Sequence, residues 1–241
     1  MSAFQALLSS TEIVFPSPRW RWKLNEASSP FADSGDDGQG VSLALQSGTT
    51  AAGTTINGRN AMEVTTAGTG LTGAFASGIS YDCTGDFSVF LVGSFPTFAS
   101  GVSIALVSLS DAGGSNQLFY FANWTLAGCL YVITSGAPTL STGVNQLDVL
   151  DATPHSYCLT CQRVSSGVYN VLGYYDGALY HTSPSQTIGA TSVYTKIGVG
   201  YDTRGAGNGF TSRVGDAYQE CNLFEAILTP TQVAALHTQA T

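Results

Sequence analysis

Residues 153–180 read TPHSYCLTCQRVSSGVYNVLGYYDGALY, and the fold turns on how that stretch is read. Two runs rich in β-branched and aromatic residues, SYCLTCQRV (156–164) and YNVLGYY (169–175), are separated by a short Ser/Gly segment. Asp176-Gly177 follows the second run. An Asp-Gly pair beside such runs makes a tight hairpin turn, because glycine takes positive φ without steric cost and aspartate caps the turn. Strand geometry also settles CLTC (158–161). Residues three apart on a strand face opposite sides, so Cys158 and Cys161 cannot share a metal despite their C-x-x-C spacing.

Outward from this hairpin, short β-like runs recur: RWKLN (21–25), AMEV (61–64), FSVFLVGSF (87–95), VSIALVSL (102–109), QLFYFAN (117–123), CLYVIT (129–134) and TKIGVG (195–200). Gly, Ser, Asp and Asn punctuate them, which is the spacing of two packed antiparallel sheets. In GDAYQECNLFEAIL (215–228), the alternation predicts one strand face of Ala217, Gln219, Cys221 and Leu223, and another of Tyr218, Glu220, Asn222 and Phe224. Only TPTQVAALHTQ (229–239) reads as a helix. Thr229 is its N-cap, Pro230 stands at N1, and Val233, Leu236 and His237 lie on one side. Residues 1–18 form a separate arm, broken off by Pro16 and Pro18, ahead of one domain over 19–241.

The chain has 241 residues, 44% of them hydrophobic and only 10% charged, with 28 glycines and a net charge of −8. That length supports one large core. Eight basic residues against sixteen acidic ones leave no basic stripe to displace counterions from a phosphate backbone, so nucleic acid is excluded as an expected partner. The N-terminal stretch MSAFQALLSSTEIVF lacks the charge pattern and cleavage site of a secretory signal. No eighteen-residue apolar run suggests a membrane span either. Five cysteines, Cys83, Cys129, Cys158, Cys161 and Cys221, sit in apolar strand patterns and suit buried thiols.

Four segments, in order from about residue 20, resemble the laminin-G-like, concanavalin A-like jelly-roll family. WKLNEASSPFADSG (22–35) is similar to its opening strand and loop through Trp22, Leu24, Glu26, Asp33, Ser34 and Gly35. GDFSVFLVGSF (85–95) is similar to a later strand. The hairpin at 153–180 matches at His155, Tyr174, Asp176 and Gly177, with Pro154 where the family has tryptophan. The final segment matches at Gly198, Gly215, Glu220, Leu228 and Thr229. The resemblance implies an all-β, two-sheet antiparallel jelly roll with one short C-terminal helix.

Laminarinase-type hydrolases share that fold and place two glutamates on one strand face about 5 Å apart. The glutamates here are Glu12, Glu26, Glu63, Glu220 and Glu225, and none forms that pattern. No nucleophile elbow, zinc helix or phosphate loop is present, and His155, His181 and His237 are scattered. The expectation is a protein that is not an enzyme and has no catalytic residues.

The acidic loop DSGDDG (33–38) lacks the third and twelfth ligands of an EF-hand. The resemblance implies at most one structural calcium, with Asp33 as its ligand. The alternative, an Asx-turn at Asp33 reversing the chain, is favoured. Trp124 in ANWT, and Tyr201, Asp202, Arg204 and Asn208 in GYDTRGAGNGF (200–210), are the candidate ligand-binding residues, because aromatic, charged and amide groups on a glycine-rich loop suit polar recognition. In the arm, Phe4, Leu7, Leu8, Ile13, Val14 and Phe15 need an apolar partner surface, so they are candidates for oligomer contact or attachment.

Together these features lead to the expectation of a non-enzymatic virion protein made in a host cytoplasm, of the phage decoration, fibre or tail-associated kind. Its expected partners are other virion subunits or further copies of itself, and cell-surface glycans. The alternative is a bacterial carbohydrate-active enzyme or carbohydrate-binding module.

Overall fold

The computed structural model describes residues 13–35, 41–45, 49–67, 69–74, 80–96, 104–113, 117–122, 130–134, 140–141, 151–188, 193–201, 203 and 212–241. The strands are β1 (Trp20–Lys23), β2 (Ala44–Leu45), β3 (Thr49–Ile56), β4 (Arg59–Val64), β5 (Leu71–Ala74), β6 (Phe87–Ser94), β7 (Ile104–Ser110) and β8 (Gln117–Ala122). They continue as β9 (Leu130–Thr134), β10 (Leu140–Ser141), β11 (Pro154–Ser165), β12 (Val168–Tyr175), β13 (Ala178–Thr187), β14 (Lys196–Val199) and β15 (Ala217–Phe224), and helix α1 spans Pro230–Ala240.

They build two antiparallel sheets. The eight-stranded one runs β13-β12-β11-β6-β15-β4-β3, with β1 also paired to β15, and the seven-stranded one runs β10-β9-β8-β7-β14-β5-β2. One edge of β15 is shared: β4 meets Ala217 and Tyr218, while β1 meets Glu220 through Leu223. The all-β, two-sheet sandwich with one short C-terminal helix is therefore what the chain forms. Among the described residues no helix is long and apolar enough to cross a membrane.

The 153–180 stretch forms β11, β12 and the start of β13, with Tyr175 of β12 opposite Tyr157 on one side and, across the turn, opposite Ala178 on the other. Asp176 and Gly177 take φ of 48° and 75°, and Asn57 and Gly58 between β3 and β4 take 49° and 74°. Both are two-residue turns of the kind whose twist matches paired strands.

The eight-stranded sheet is covered on both faces. Val89, Leu91, Leu159, Cys161, Val171 and Leu223 bury their side chains in the main core together with Leu71, Val107, Leu109, Ile197 and Val199 of the other sheet. A second cluster joins Phe90, Val92, Cys158, Tyr174 and Phe224 to Leu228, Val233 and Ala240 at the helix. Cys158 and Cys161 thus enter different clusters. Burial pushes both thiols up, and the four described cysteines are all buried and free.

The expected alternation along β15 needs one correction. Pairing with β6 shifts register between Tyr218 and Glu220, so Tyr218 joins Cys221 and Leu223 in the main core and Ala217 joins Phe224 at the helix. A bulge of one residue reverses the face of everything before it.

At α1, Thr229 accepts the Gln232 backbone N–H while Gln232 Oε1 accepts that of Thr229, and Pro230 occupies the first turn. This reciprocal cap contributes about 1 kcal/mol. Both hairpin turns hold the helix. Asn57 Nδ2 and Arg59 Nη2 donate to the carbonyls of Ala240 and Gln239, and Gly177 lies against Ala234 and His237.

Candidate functional site

Two polar assemblies lie on the helix side of the eight-stranded sheet. The first grows from the start of β11. His155 Nδ1 lies 2.7 Å from Asp176 Oδ2, and its Nε2 lies 3.0 Å from Asp151 Oδ1. Asp176 Oδ1 accepts the Ser156 N–H at 3.0 Å, and Ser156 Oγ meets His237 Nδ1 at 3.0 Å. Burial pulls the His155 pKa down, but bonds to Asp176 and Asp151 outweigh it and leave it raised. Both carboxylates are held below their ordinary range despite partial burial, by their bonds to Thr153 and His155 (Asp151) and to His155 and Ser156 (Asp176).

This group contains Thr153, Ser156, two histidines and two aspartates. Thr153 Oγ1 lies 2.7 Å from His155 Nε2 but gives its own proton to Asp151 Oδ1, and the geometry at Ser156 is not that of a nucleophilic triad. Ser156 is 2% exposed, and the His237 nitrogen that meets it is the same one facing Asp176 at 3.9 Å. A relay needs one ring nitrogen for the nucleophile and the other for the acid. What the group does is lash the β12–β13 turn and α1 to β11.

The second assembly is an open pocket of about 370 Å³ lined by Arg21, Lys23, Asn25, Arg59, Gln219, Glu220 and Gln239. Strand alternation creates it. In β1, Trp20 and Trp22 are fully buried, which sends Arg21 and Lys23 to the opposite face. Glu220 is 7% exposed, and its Oε1 accepts from Arg21 Nε at 2.9 Å, from Arg21 Nη2 at 2.8 Å and from Asn222 Nδ2 at 3.0 Å. Gln219, at the β15 bulge, is 2% exposed, and its Oε1 has no partner among the described residues. Lys23 is exposed. Cations, amides and one carboxylate, with no aromatic ring, can hold hydroxyl and acid groups.

A third polar pair is structural. Asp216 is fully buried; it accepts the Arg213 N–H at 2.6 Å and Arg213 Nη2 at 3.2 Å. Burial pushes its carboxyl up to about 7.

The described residues among those expected from sequence do not line the open pocket. Asp33 Oδ1 accepts the N–H groups of Gly35 at 2.8 Å and Arg21 at 2.9 Å, the first of which is an Asx-turn. Among the described residues no three His, Cys, Asp or Glu side chains are grouped to hold a metal. Tyr201 follows β14 in the other sheet, where its carbonyl accepts Ser108 Oγ. Trp124, Asp202, Arg204 and Asn208 lie outside the described residues, as do Phe4, Leu7 and Leu8. Of the arm, Ile13 and Val14 are 39% and 77% exposed, Phe15 is half-buried, and the Val14 carbonyl accepts Gln232 Nε2. Glu225 follows the end of β15, paired with Arg19. The pocket residues were missed, although RWRWKL (19–24) carries their signal: a basic residue at every second position, alternating with Trp20, Trp22 and Leu24.

No protein-family model and no curated protein matches the chain. Solved structures do. The receptor-binding domain of botulinum neurotoxin type G superposes with a TM-score of 0.63 at 12% identity, over 92% of this chain and 51% of that one. The ligand-binding domain of botulinum neurotoxin serotype D in complex with N-acetylneuraminic acid gives 0.63 at 11%, over 92% and 51%. A Trypanosoma rangeli sialidase gives 0.58 at 11%, over 90% and 32%. The chain spans about half the length of the toxin domains, and at these identities the likeness is one of fold.

Proposed function

We propose that the chain is a non-enzymatic recognition module, a lectin-like jelly roll of a virion surface protein of the decoration, fibre or tail-associated kind. It holds glycans or neighbouring subunits through polar groups on its surface. The observation that carries this reading is the open pocket lined by Arg21, Lys23, Arg59, Asn25, Gln219 and Gln239. Convergent donors and acceptors in a concave site bind and orient a polar ligand. Support comes from structural neighbours described as receptor- or ligand-binding domains, one of them holding a sugar acid.

Recognition is favoured over hydrolysis because the pocket has a single carboxylate, Glu220, already engaged by Arg21 and Asn222, and no tyrosine lines it. Most glycoside hydrolases work with two carboxylates, and sialidases with a tyrosine nucleophile. The virion assignment draws on composition, low in lysine and rich in Ser, Thr and Gly, and on the apolar arm.

A glycan array with purified protein, read beside release of reducing ends from the bound glycans, tests the function. Saturable binding without release is expected. Turnover abolished by Glu220→Gln would replace this reading with that of a carbohydrate-active enzyme. Mass spectrometry of purified particles tests the virion assignment, and absence of the protein from every particle preparation would overturn it.

A further inference from the structure

We propose that the pocket between β1, β4, β15 and the end of α1 binds a single acidic group, a carboxylate or sulfate, borne on a saccharide. This deepens the recognition role above and rests on it.

Charge is the first ground. The chain carries −8 overall with eight Lys and Arg, and three of those eight, Arg21, Lys23 and Arg59, line this one pocket. The one carboxylate there, Glu220, has its Oε1 occupied by Arg21 and Asn222. Arg59 donates through Nη2 to the Gln239 carbonyl at 3.2 Å, which anchors its guanidinium and leaves further N–H donors. No described residue pairs with Lys23. A positive concavity on an acidic protein focuses field on a small anion, and a guanidinium with an ammonium beside it suits a carboxylate or sulfate. With Arg21 paired to Glu220, the two remaining cations against a background of −8 suit one acid group and not a polyanion.

The second ground is independent of charge. Gln219 is 2% exposed, and its Oε1 has no donor among the described residues. Buried acceptors are ordinarily satisfied. Sulfate brings no hydroxyl to satisfy this one, but a saccharide does. An acid group for Lys23 and Arg59 plus a hydroxyl donor for Gln219 is the chemistry of an acidic sugar.

The test is calorimetric titration of the full chain with methyl glucuronide, N-acetylneuraminic acid and galactose 6-sulfate, with their uncharged counterparts, and with sodium sulfate. Acidic sugars should bind at least about tenfold more tightly than uncharged ones, and more weakly as salt rises. Lys23→Gln and Arg59→Gln should each weaken binding about tenfold. Lys196→Gln, whose ammonium bonds the Ala112 carbonyl, should change nothing. Lys23 is exposed, so its substitution should spare the fold, which a circular dichroism spectrum checks.

Equal binding of acidic and uncharged sugars, unmoved by Lys23→Gln, overturns the proposal while leaving glycan recognition standing. Sulfate binding as tightly as the acidic sugars overturns the saccharide part. No binding of any sugar overturns both this proposal and the reading beneath it.

Discussion

Gly58 and Gly177 occupy equivalent positions in two-residue turns, at φ of 74° and 75°, but their surroundings differ. A Cβ at Gly58 meets nothing within 4 Å, whereas one at Gly177 would lie 3.0 Å from His237 Cβ and 3.1 Å from Ala234 Cα. Gly58→Ala therefore isolates the backbone cost. A left-handed alanine costs about 1–2 kcal/mol, offset by about 0.4–1 kcal/mol from the restricted unfolded chain, leaving about 1 kcal/mol. Gly177→Ala carries the same cost plus the strain of pressing a methyl group into helix backbone, about 1–3 kcal/mol for overpacking. Its total is about 2–4 kcal/mol. Urea unfolding followed by fluorescence of the buried Trp20 and Trp22 reads both, with the midpoint shift converted through an unchanged slope. If the two variants fall within about 0.5 kcal/mol of each other, a figure typical of neutral substitutions, α1 is not seated on the β12–β13 turn and the packing argument fails.

Asp216 makes stability depend on pH. With its carboxyl raised to about 7, the folded state holds a proton that the unfolded state releases near 4, so this group's contribution falls as pH rises between about 4 and 7. The slope approaches about 1.4 kcal/mol per pH unit. Asp216→Asn should flatten the stability curve across that window relative to wild type, and parallel curves would refute the assignment. At Asp33, Oδ1 already accepts two N–H bonds, so EDTA is expected to leave Tm unchanged. A fall in Tm reversed by added calcium would instead assign an ion to that loop.

The hairpin, the sandwich and the closing helix were legible because their signals are local: Asp-Gly at a turn, alternation in β11, a Thr-Pro cap. β3 and β13 were not. TTAAGTTI has no apolar face to display its period, and β13 is a largely exposed edge strand that tolerates Pro184. The pocket was half visible. Arg21 and Lys23 announce their face by alternating with buried tryptophans, but Arg59 and Gln239 arrive from β4 and α1 only through tertiary folding. Gln219 depends on a bulge that shifts the phase of β15, and periodicity read from sequence has no means of showing it.

The central place of β15 has a consequence for synthesis. Trp20 pairs with Leu223, and Ala217 pairs with both Glu63 and Ser94, so strands translated first wait for one translated near residue 220. Until it emerges, the facing edges of β6, β4 and β1 stay open with unpaired backbone N–H and C=O groups, a form prone to pair with other chains. Closing a loop of that span also slows folding. A ribosome stalled before residue 217 would therefore display a half-built sheet, and the rate at which the remaining segment is delivered sets how long the nascent chain stays in need of a chaperone.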